Sequence, residues 1–127
     1  MSLSAVCPFC EVSCTIPEGG AGRCGMYQNQ NGQVTELYPD AYLVEYPISI
    51  ETTPFLHFYP REKFLQVSTI GCNFRCNGCV SELLTRTVHE FAPSLMQKSP
   101  DMVIQKAQDL NCRGIVFAIN EPAVSYP

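Results

Sequence analysis

The sequence predicts an α/β chain in which a small cysteine-rich β subdomain precedes the first strand–helix–strand unit of a parallel sheet. Three observations support this fold class. The N-terminal part combines glycine-rich turns with four cysteines, residues 64–70 are mostly apolar, and a second apolar stretch at 115–119 follows an amphipathic helical segment. Short apolar runs on either side of a helix are typical of buried parallel strands. We therefore divide the chain into a subdomain with an extended connector at 1–60 and a second domain at 61–127.

The first part is predicted to be made of strands and turns. Asn31-Gly32 is a strong hairpin signal because both residues accept positive φ, and it separates candidate strands at 25–28 and 33–38. The stretch 39–60 contains four prolines and many aromatic residues. This composition favours an extended connector packed on the rest of the chain over a regular helix.

The second part is predicted to form a βαβ unit. A strand at 64–70 leads into a cysteine loop, and a short helix starts at Ser81. A longer helix starts at Ser99-Pro100-Asp101, which supplies a cap, a proline in the first turn and an acid near the positive helix end. Apolar residues at 102, 103, 107 and 110 form its inward face, and Gly114 is expected to end it. The strand at 115–119 should then run parallel to the first.

Two parallel strands and one helix do not complete a sheet that is covered on both faces. A full (β/α) barrel needs about 250 residues, twice what this chain offers. We therefore expect the chain to be a fragment of a longer protein that carries the start of such a barrel.

Charge and hydropathy narrow the range of partners and compartments. The 127 residues carry 8 Lys+Arg against 12 Asp+Glu, a net charge of −4, and have no basic run, so a nucleic-acid partner is not expected. The N-terminus lacks the pattern of a signal peptide, and no stretch approaches the roughly 18 apolar residues that span a bilayer. We expect a cytoplasmic protein that does not interact with a membrane.

The eight cysteines fall into groups of four, three and one, at 7, 10, 14 and 24, at 72, 76 and 79, and at 112. In a reducing compartment, such clustering points to metal or redox chemistry more than to disulfides. Two metal sites are predicted. The lone Cys112 is expected to be a small buried hydrophobic residue.

The group of three has the sequence Cys72-Asn-Phe-Arg-Cys76-Asn-Gly-Cys79, with C-x3-C-x2-C spacing. Three thiolates can hold three irons of a [4Fe–4S] cluster and leave the fourth iron open, whereas an electron carrier uses four cysteines. The alternative is a zinc or structural site that lacks its fourth ligand.

The group of four, Cys7, Cys10, Cys14 and Cys24, lies within 18 residues and leads into the predicted hairpin. Four thiolates at this spacing suit a tetrahedral zinc ion, which would stabilise a segment too small to build much core. A second iron–sulfur cluster and free or paired thiols remain alternatives.

The three-cysteine loop after a strand resembles the signature of the radical S-adenosylmethionine (radical SAM) superfamily. The resemblance implies a partial (β/α) radical SAM barrel, in which Cys72, Cys76 and Cys79 ligate a [4Fe–4S] cluster and SAM chelates the fourth iron. The segment Ile119-Asn120-Glu121-Pro122 is similar to the Gly-Gly-Glu-Pro motif of this superfamily. By resemblance, Asn120 and Glu121 contact SAM. Gly78 replaces the aromatic residue usual before the third cysteine and leaves a backbone contact to the adenine.

Further stretches resemble the pyruvate formate-lyase activating enzyme-like proteins of the AmmeMemoRadiSam type. They are 22–24, 31–32, 54–60, 71–76 and 120–122. The resemblance implies an enzyme that cleaves SAM reductively to a 5′-deoxyadenosyl radical, with a glycyl radical enzyme as candidate protein partner. It also implies an electron donor such as flavodoxin or ferredoxin. The alternative function is a cysteine-rich zinc-binding module without catalytic activity.

Overall fold

The computed structural model describes residues 3–125, and its largest sheet has three strands. The strands are β6 (Val44–Ser49), β7 (Lys63–Ser68) and β9 (Gly114–Phe117), in the spatial order β6–β7–β9. β7 pairs antiparallel with β6 and parallel with β9. Five of the six residues of β7 are buried, as expected for a central strand covered on both faces.

Three two-stranded antiparallel sheets account for the remaining strands of the described residues. They pair β1 (Ala5–Val6) with β2 (Thr15–Ile16), β3 (Tyr27–Gln30) with β4 (Gln33–Glu36), and β5 (Ala41–Tyr42) with β8 (Met96–Gln97). The β3–β4 pair confirms the predicted hairpin. Its turn residues Asn31 and Gly32 have φ values of 55° and 79°, which is the conformation that an Asn-Gly turn favours.

Three α-helices lie between β7 and β9: α1 (Glu82–Arg86), α2 (Val88–Phe91) and α3 (Pro100–Asp109). Short 3-10 helices are found at Ile50–Thr52, Ala92–Ser94 and Pro122–Ser125. Among residues 3–125, every helix is too short or too polar to cross a membrane.

The start of α3 confirms the prediction, because the Ser99 side chain accepts a hydrogen bond from the Met102 N–H. The predicted end at Gly114 is wrong. The helix stops at Asp109, Asn111 adopts a left-handed conformation with φ of 52°, and Gly114 is the first residue of β9. The expected inward face also loses one member, since Met102 is exposed.

The connector at 39–60 is more regular than predicted. It contains β5 and β6, and the β6–β7 pairing joins the predicted 1–60 subdomain to the 61–127 domain in one sheet. Pro47, which pairs with Leu65, is tolerated because β6 is an edge strand and needs hydrogen bonds on only one side.

Two apolar clusters hold these elements together. The smaller packs α3 against the sheet through Leu65, Val67, Val103 and Ala107. The larger combines residues of the N-terminal hairpins with three from the second part of the chain. Its buried members are Cys7, Ile16, Cys24, Met26, Tyr27, Ile70, Val88 and Val124. The N-terminal cysteines therefore share a core with the segment that leads into the second cysteine loop.

One ion-pair network fastens α3 and its preceding segment to β6. The Glu45 side chain is fully buried and accepts hydrogen bonds from Lys98 and from Lys106, the latter at 2.8 Å. Burial alone would raise the pKa of Glu45, but the hydrogen bonds and charges of the two lysines lower it below its usual value.

Candidate functional site

The three-cysteine loop leaves the carboxyl end of β7 through Thr69, Ile70 and Gly71. Cys72 and Cys79 are half-buried, and Cys76 is exposed. The Phe74 N–H points at Cys72 Sγ from 3.4 Å. The sulfur of Cys72 therefore accepts a hydrogen bond from the backbone of its own loop.

Two arginines hold this loop by its carbonyl oxygens. Arg75 donates to the carbonyl oxygens of Cys72 at 3.1 Å and Phe74 at 3.0 Å, and Arg86 donates to that of Cys76 at 3.0 Å. These hydrogen bonds hold the backbone of the loop at three carbonyl oxygens between residues 72 and 76.

The N-terminal quartet lies in and around the first hairpin. Cys7 and Cys24 are buried, whereas Cys10 and Cys14 are half-buried. Burial raises the pKa of the Cys24 thiol, and the nearby charges of Cys7, Cys10 and Cys14 raise it further against a hydrogen bond from the Met26 backbone. The Cys24 thiol is therefore within electrostatic range of the other three cysteines.

The two cysteine segments touch. Gly71 has a φ of 79°, and a methyl group on its Cα would lie 2.4 Å from the Cys24 carbonyl oxygen. Arg75 also donates to the Arg23 carbonyl oxygen at 2.6 Å, and the Arg23 N–H points at Cys14 Sγ from 3.4 Å. A continuous series of hydrogen bonds therefore connects Cys14 to Cys72.

Asn120 follows β9 and lies at the entrance to the three-cysteine loop. Its side-chain amide donates to the carbonyl oxygens of Ile70 at 3.5 Å and Gly71 at 3.3 Å. The preceding residue, Ile119, has a φ of 84°, a strained conformation for a β-branched side chain that costs about 1–3 kcal/mol. Such strain is concentrated at functional sites in proteins.

Glu121 and Gly78 are the other two residues that the resemblance assigns to SAM contact. Neither takes part in the hydrogen bonds of Asn120. The Glu121 carboxylate accepts a hydrogen bond from the Ala123 N–H at 3.2 Å and so starts the 3-10 helix at Pro122–Ser125. Gly78 lies on the exposed outer part of the loop with a φ of 69° and open space beside its Cα.

The cysteine thiols are the donors that zinc and iron–sulfur clusters use, and the N–H groups directed at Cys14 and Cys72 support that chemistry. Within the described range 3–125, however, no three His, Cys, Asp or Glu side chains converge as the ligands of one ion. The donor types fit a metal or cluster at each loop, and binding would require the thiol side chains to close on it.

A cavity of about 700 Å³ opens at the carboxyl ends of β7 and β9. Ser68, Thr69, Phe117 and Asn120 form its floor and one wall, and the other wall comes from 36–42. In α/β sheets, ligands bind at this end of parallel strands, and the volume is in the range of small-molecule sites. The sequence did not reveal this cavity, because its two walls are distant along the chain.

The chain is similar to an uncharacterized protein of Methanocaldococcus jannaschii, with 32% identity over 126 aligned residues. The alignment covers 94% of this chain but 36% of the relative, so the chain spans about a third of that protein's length. No protein-family model matches the chain. No solved structure matches it either.

Proposed function

We propose that this chain carries the cluster-binding part of a radical SAM enzyme. Cys72, Cys76 and Cys79 would each ligate one iron of a [4Fe–4S] cluster, and SAM would occupy the fourth iron. The observation that carries the proposal is the contact between two strand ends: Asn120, after β9, donates to the carbonyl oxygens of Ile70 and Gly71, immediately before the cysteine loop that follows β7. The cysteine loop and the candidate cofactor-binding residue therefore lie at the same end of the two parallel strands.

When bound, the reduced cluster would supply one electron to the sulfonium of SAM, so that the bond from sulfur to the 5′ carbon breaks into methionine and a 5′-deoxyadenosyl radical. An electron donor such as flavodoxin or ferredoxin would restore the electron. The chain's own residues would bind the cluster and SAM and orient them. Arg75 and Arg86 donate hydrogen bonds to the carbonyl oxygens of Cys72 and Cys76 and so hold the loop in place.

On the cofactor side, the Asn120 amide holds the strand end, and the Glu121 carboxylate is the group suited to accept the SAM ammonium. Gly78 offers an exposed backbone for the adenine. The radical would then abstract a hydrogen atom. The candidate source of this hydrogen is a glycine of a cytoplasmic glycyl radical enzyme that binds to this protein.

The test is anaerobic reconstitution of the full-length protein with iron and sulfide, followed by reduction and detection of 5′-deoxyadenosine and methionine. Cys76→Ala is expected to abolish both products. The matched control is Cys112→Ala, because Cys112 packs beside the α3 cluster. Absence of SAM cleavage in the wild-type full-length protein would refute the proposal, as would cleavage that persists in Cys76→Ala.

A second candidate function is a zinc-binding module without catalytic activity. Its support is the N-terminal quartet, in which Cys7 and Cys24 are buried in one core cluster with Cys14 packed against it, and in which the Cys14 sulfur accepts a hydrogen bond from the Arg23 N–H. Elemental analysis after anaerobic purification separates the two functions. Zinc without iron or acid-labile sulfide favours the zinc module, and iron with sulfide favours the cluster.

A further inference from the structure

The cavity at the ends of β7 and β9 has an acidic wall. Glu36 and Asp40 both line it, and no Lys, Arg or His of residues 3–125 does so. Burial raises the pKa of Glu36, and the negative charge of Asp40 raises it further, so the two carboxylates act on the same confined space. Such a wall disfavours anions and is stabilised by a positive charge.

Aromatic and apolar groups form much of the remaining lining. Tyr42 comes from the connector and Tyr38 from the segment just before it, and Phe117, at the end of β9 with 60% of its surface exposed, also lines the cavity. Aromatic rings provide a large apolar contact area, and their faces attract cations. The lining therefore suits a ligand with an apolar body and a positive end.

The floor contains two polar groups without partners. Ser68 and Thr69 are only 3% and 6% exposed, and neither hydroxyl has a hydrogen-bond partner among the described residues. A buried hydroxyl without a partner costs about 1–3 kcal/mol. A bound ligand with a polar substituent would remove this cost, which is evidence for a ligand independent of the acidic wall.

We propose that this cavity binds a small organic ammonium ion with an aromatic or apolar body. The ammonium group would lie against Glu36 and Asp40, the body between Tyr38, Tyr42 and Phe117, and a polar substituent near Ser68 and Thr69. Asn120 lines the cavity, whereas Cys72, Cys76 and Cys79 do not, and the contacts assigned here come from residues that the SAM proposal does not use. The inference therefore goes beyond the function of the cysteine loop.

The experiment compares tyramine with tyrosol, which has the same ring but a hydroxyl in place of the amine. Binding of each to the chain as purified under reducing conditions is measured by isothermal titration calorimetry. Tyramine is expected to bind about tenfold more tightly, the effect of one favourable ionic contact in a partly enclosed site. Glu36→Gln and Asp40→Asn should each remove most of that preference and leave tyrosol binding unchanged.

Glu90→Gln is the matched control, because Glu90 is an exposed carboxylate on α2 and does not line the cavity. It should leave the preference intact. Asn tolerates the left-handed backbone at residue 40, where φ is 51°, so Asp40→Asn changes charge without new strain. Tyrosol binding reports whether each variant keeps its cavity.

Equal affinity for tyramine and tyrosol would overturn the proposal, and so would the absence of saturable binding by either. An equal loss of affinity for tyramine and for tyrosol in Glu36→Gln and in Asp40→Asn would also overturn it, because the two carboxylates would then have only a structural role. Displacement of tyramine by SAM at equal affinity would assign the cavity to SAM instead. The titrations do not measure SAM cleavage, so failure here is distinguishable from failure of the proposed function.

Discussion

The contact between Gly71 and Cys24 predicts that a single methyl group will separate the two cysteine segments. Gly71→Ala would place a carbon atom 2.4 Å from the Cys24 carbonyl oxygen. This neighbour is backbone, so the overlap is relieved only by moving the N-terminal hairpins or the start of the three-cysteine loop. Gly32→Ala is the matched control, because Gly32 has the same φ of 79° and open space beside its Cα.

Both variants carry the cost of a left-handed backbone, and Gly71→Ala alone carries the cost of steric overlap. Alanine in the left-handed region costs about 1–2 kcal/mol at either position. Overlap with fixed neighbours adds about 1–3 kcal/mol at Gly71 alone. We therefore expect Gly71→Ala to lower the free energy of unfolding by about 2 kcal/mol more than Gly32→Ala. At this chain length the difference corresponds to a melting temperature lower by about 8 °C.

The assay is urea and thermal unfolding, followed by far-UV circular dichroism under reducing conditions. Both variants are compared with the wild type at the same protein concentration. Equal destabilisation by Gly71→Ala and Gly32→Ala would refute the reasoning, because it would mean that the Cys24 backbone does not press on Gly71.

Two further predictions concern the charged groups. Glu45→Gln should lower the free energy of unfolding by about 1–3 kcal/mol at pH 7, whereas Glu90→Gln should not. Because the folded-state pKa of Glu45 is lowered, its contribution is complete above its unfolded pKa of about 4.3 and is lost as pH falls through the lower folded pKa. The wild-type and Glu45→Gln curves of stability against pH should therefore converge as pH falls below the unfolded pKa. A constant difference between them would contradict the assignment. Arg75→Gln should speed amide hydrogen exchange in 72–79 several-fold, since it removes three hydrogen bonds to carbonyl oxygens, and exposed Arg61→Gln should not. Unchanged exchange in Arg75→Gln would show that the arginine does not hold the loop.

Local signals in the sequence predicted the local structure well. Asn31-Gly32 marks the hairpin and Ser99-Pro100-Asp101 marks the start of α3, because each acts through its own backbone conformation or cap. The apolar runs likewise predicted β7 and β9 to within a few residues.

The predictions that failed, and the features that were not predicted, also have physical causes. Pro47 argued against a strand, but an edge position removes the need for its missing N–H. Asn111 ended α3 before the expected glycine could, since Asn also adopts positive φ. The packing of Gly71 on Cys24 and the cavity beneath the connector depend on tertiary contacts between segments that are distant along the chain.

The same distinction applies to the candidate site. Spacing alone singled out the cysteines as candidate metal ligands, and this assignment stays a prediction. It did not reveal that Arg75 connects the Cys72 loop to the N-terminal quartet, nor that Glu36 and Asp40 face the ends of the parallel strands.

The central claim is that Cys72, Cys76 and Cys79 hold a cluster with one open iron that SAM occupies. The most direct measurement is the electron paramagnetic resonance spectrum of the anaerobically reconstituted, reduced chain before and after addition of SAM, in a Cys10→Ala background that removes one ligand of the N-terminal quartet. We predict a signal of a reduced [4Fe–4S] cluster whose g values shift when SAM is added, and loss of that signal in Cys76→Ala. A spectrum that SAM leaves unchanged, or a cluster signal that survives Cys76→Ala, would contradict the claim.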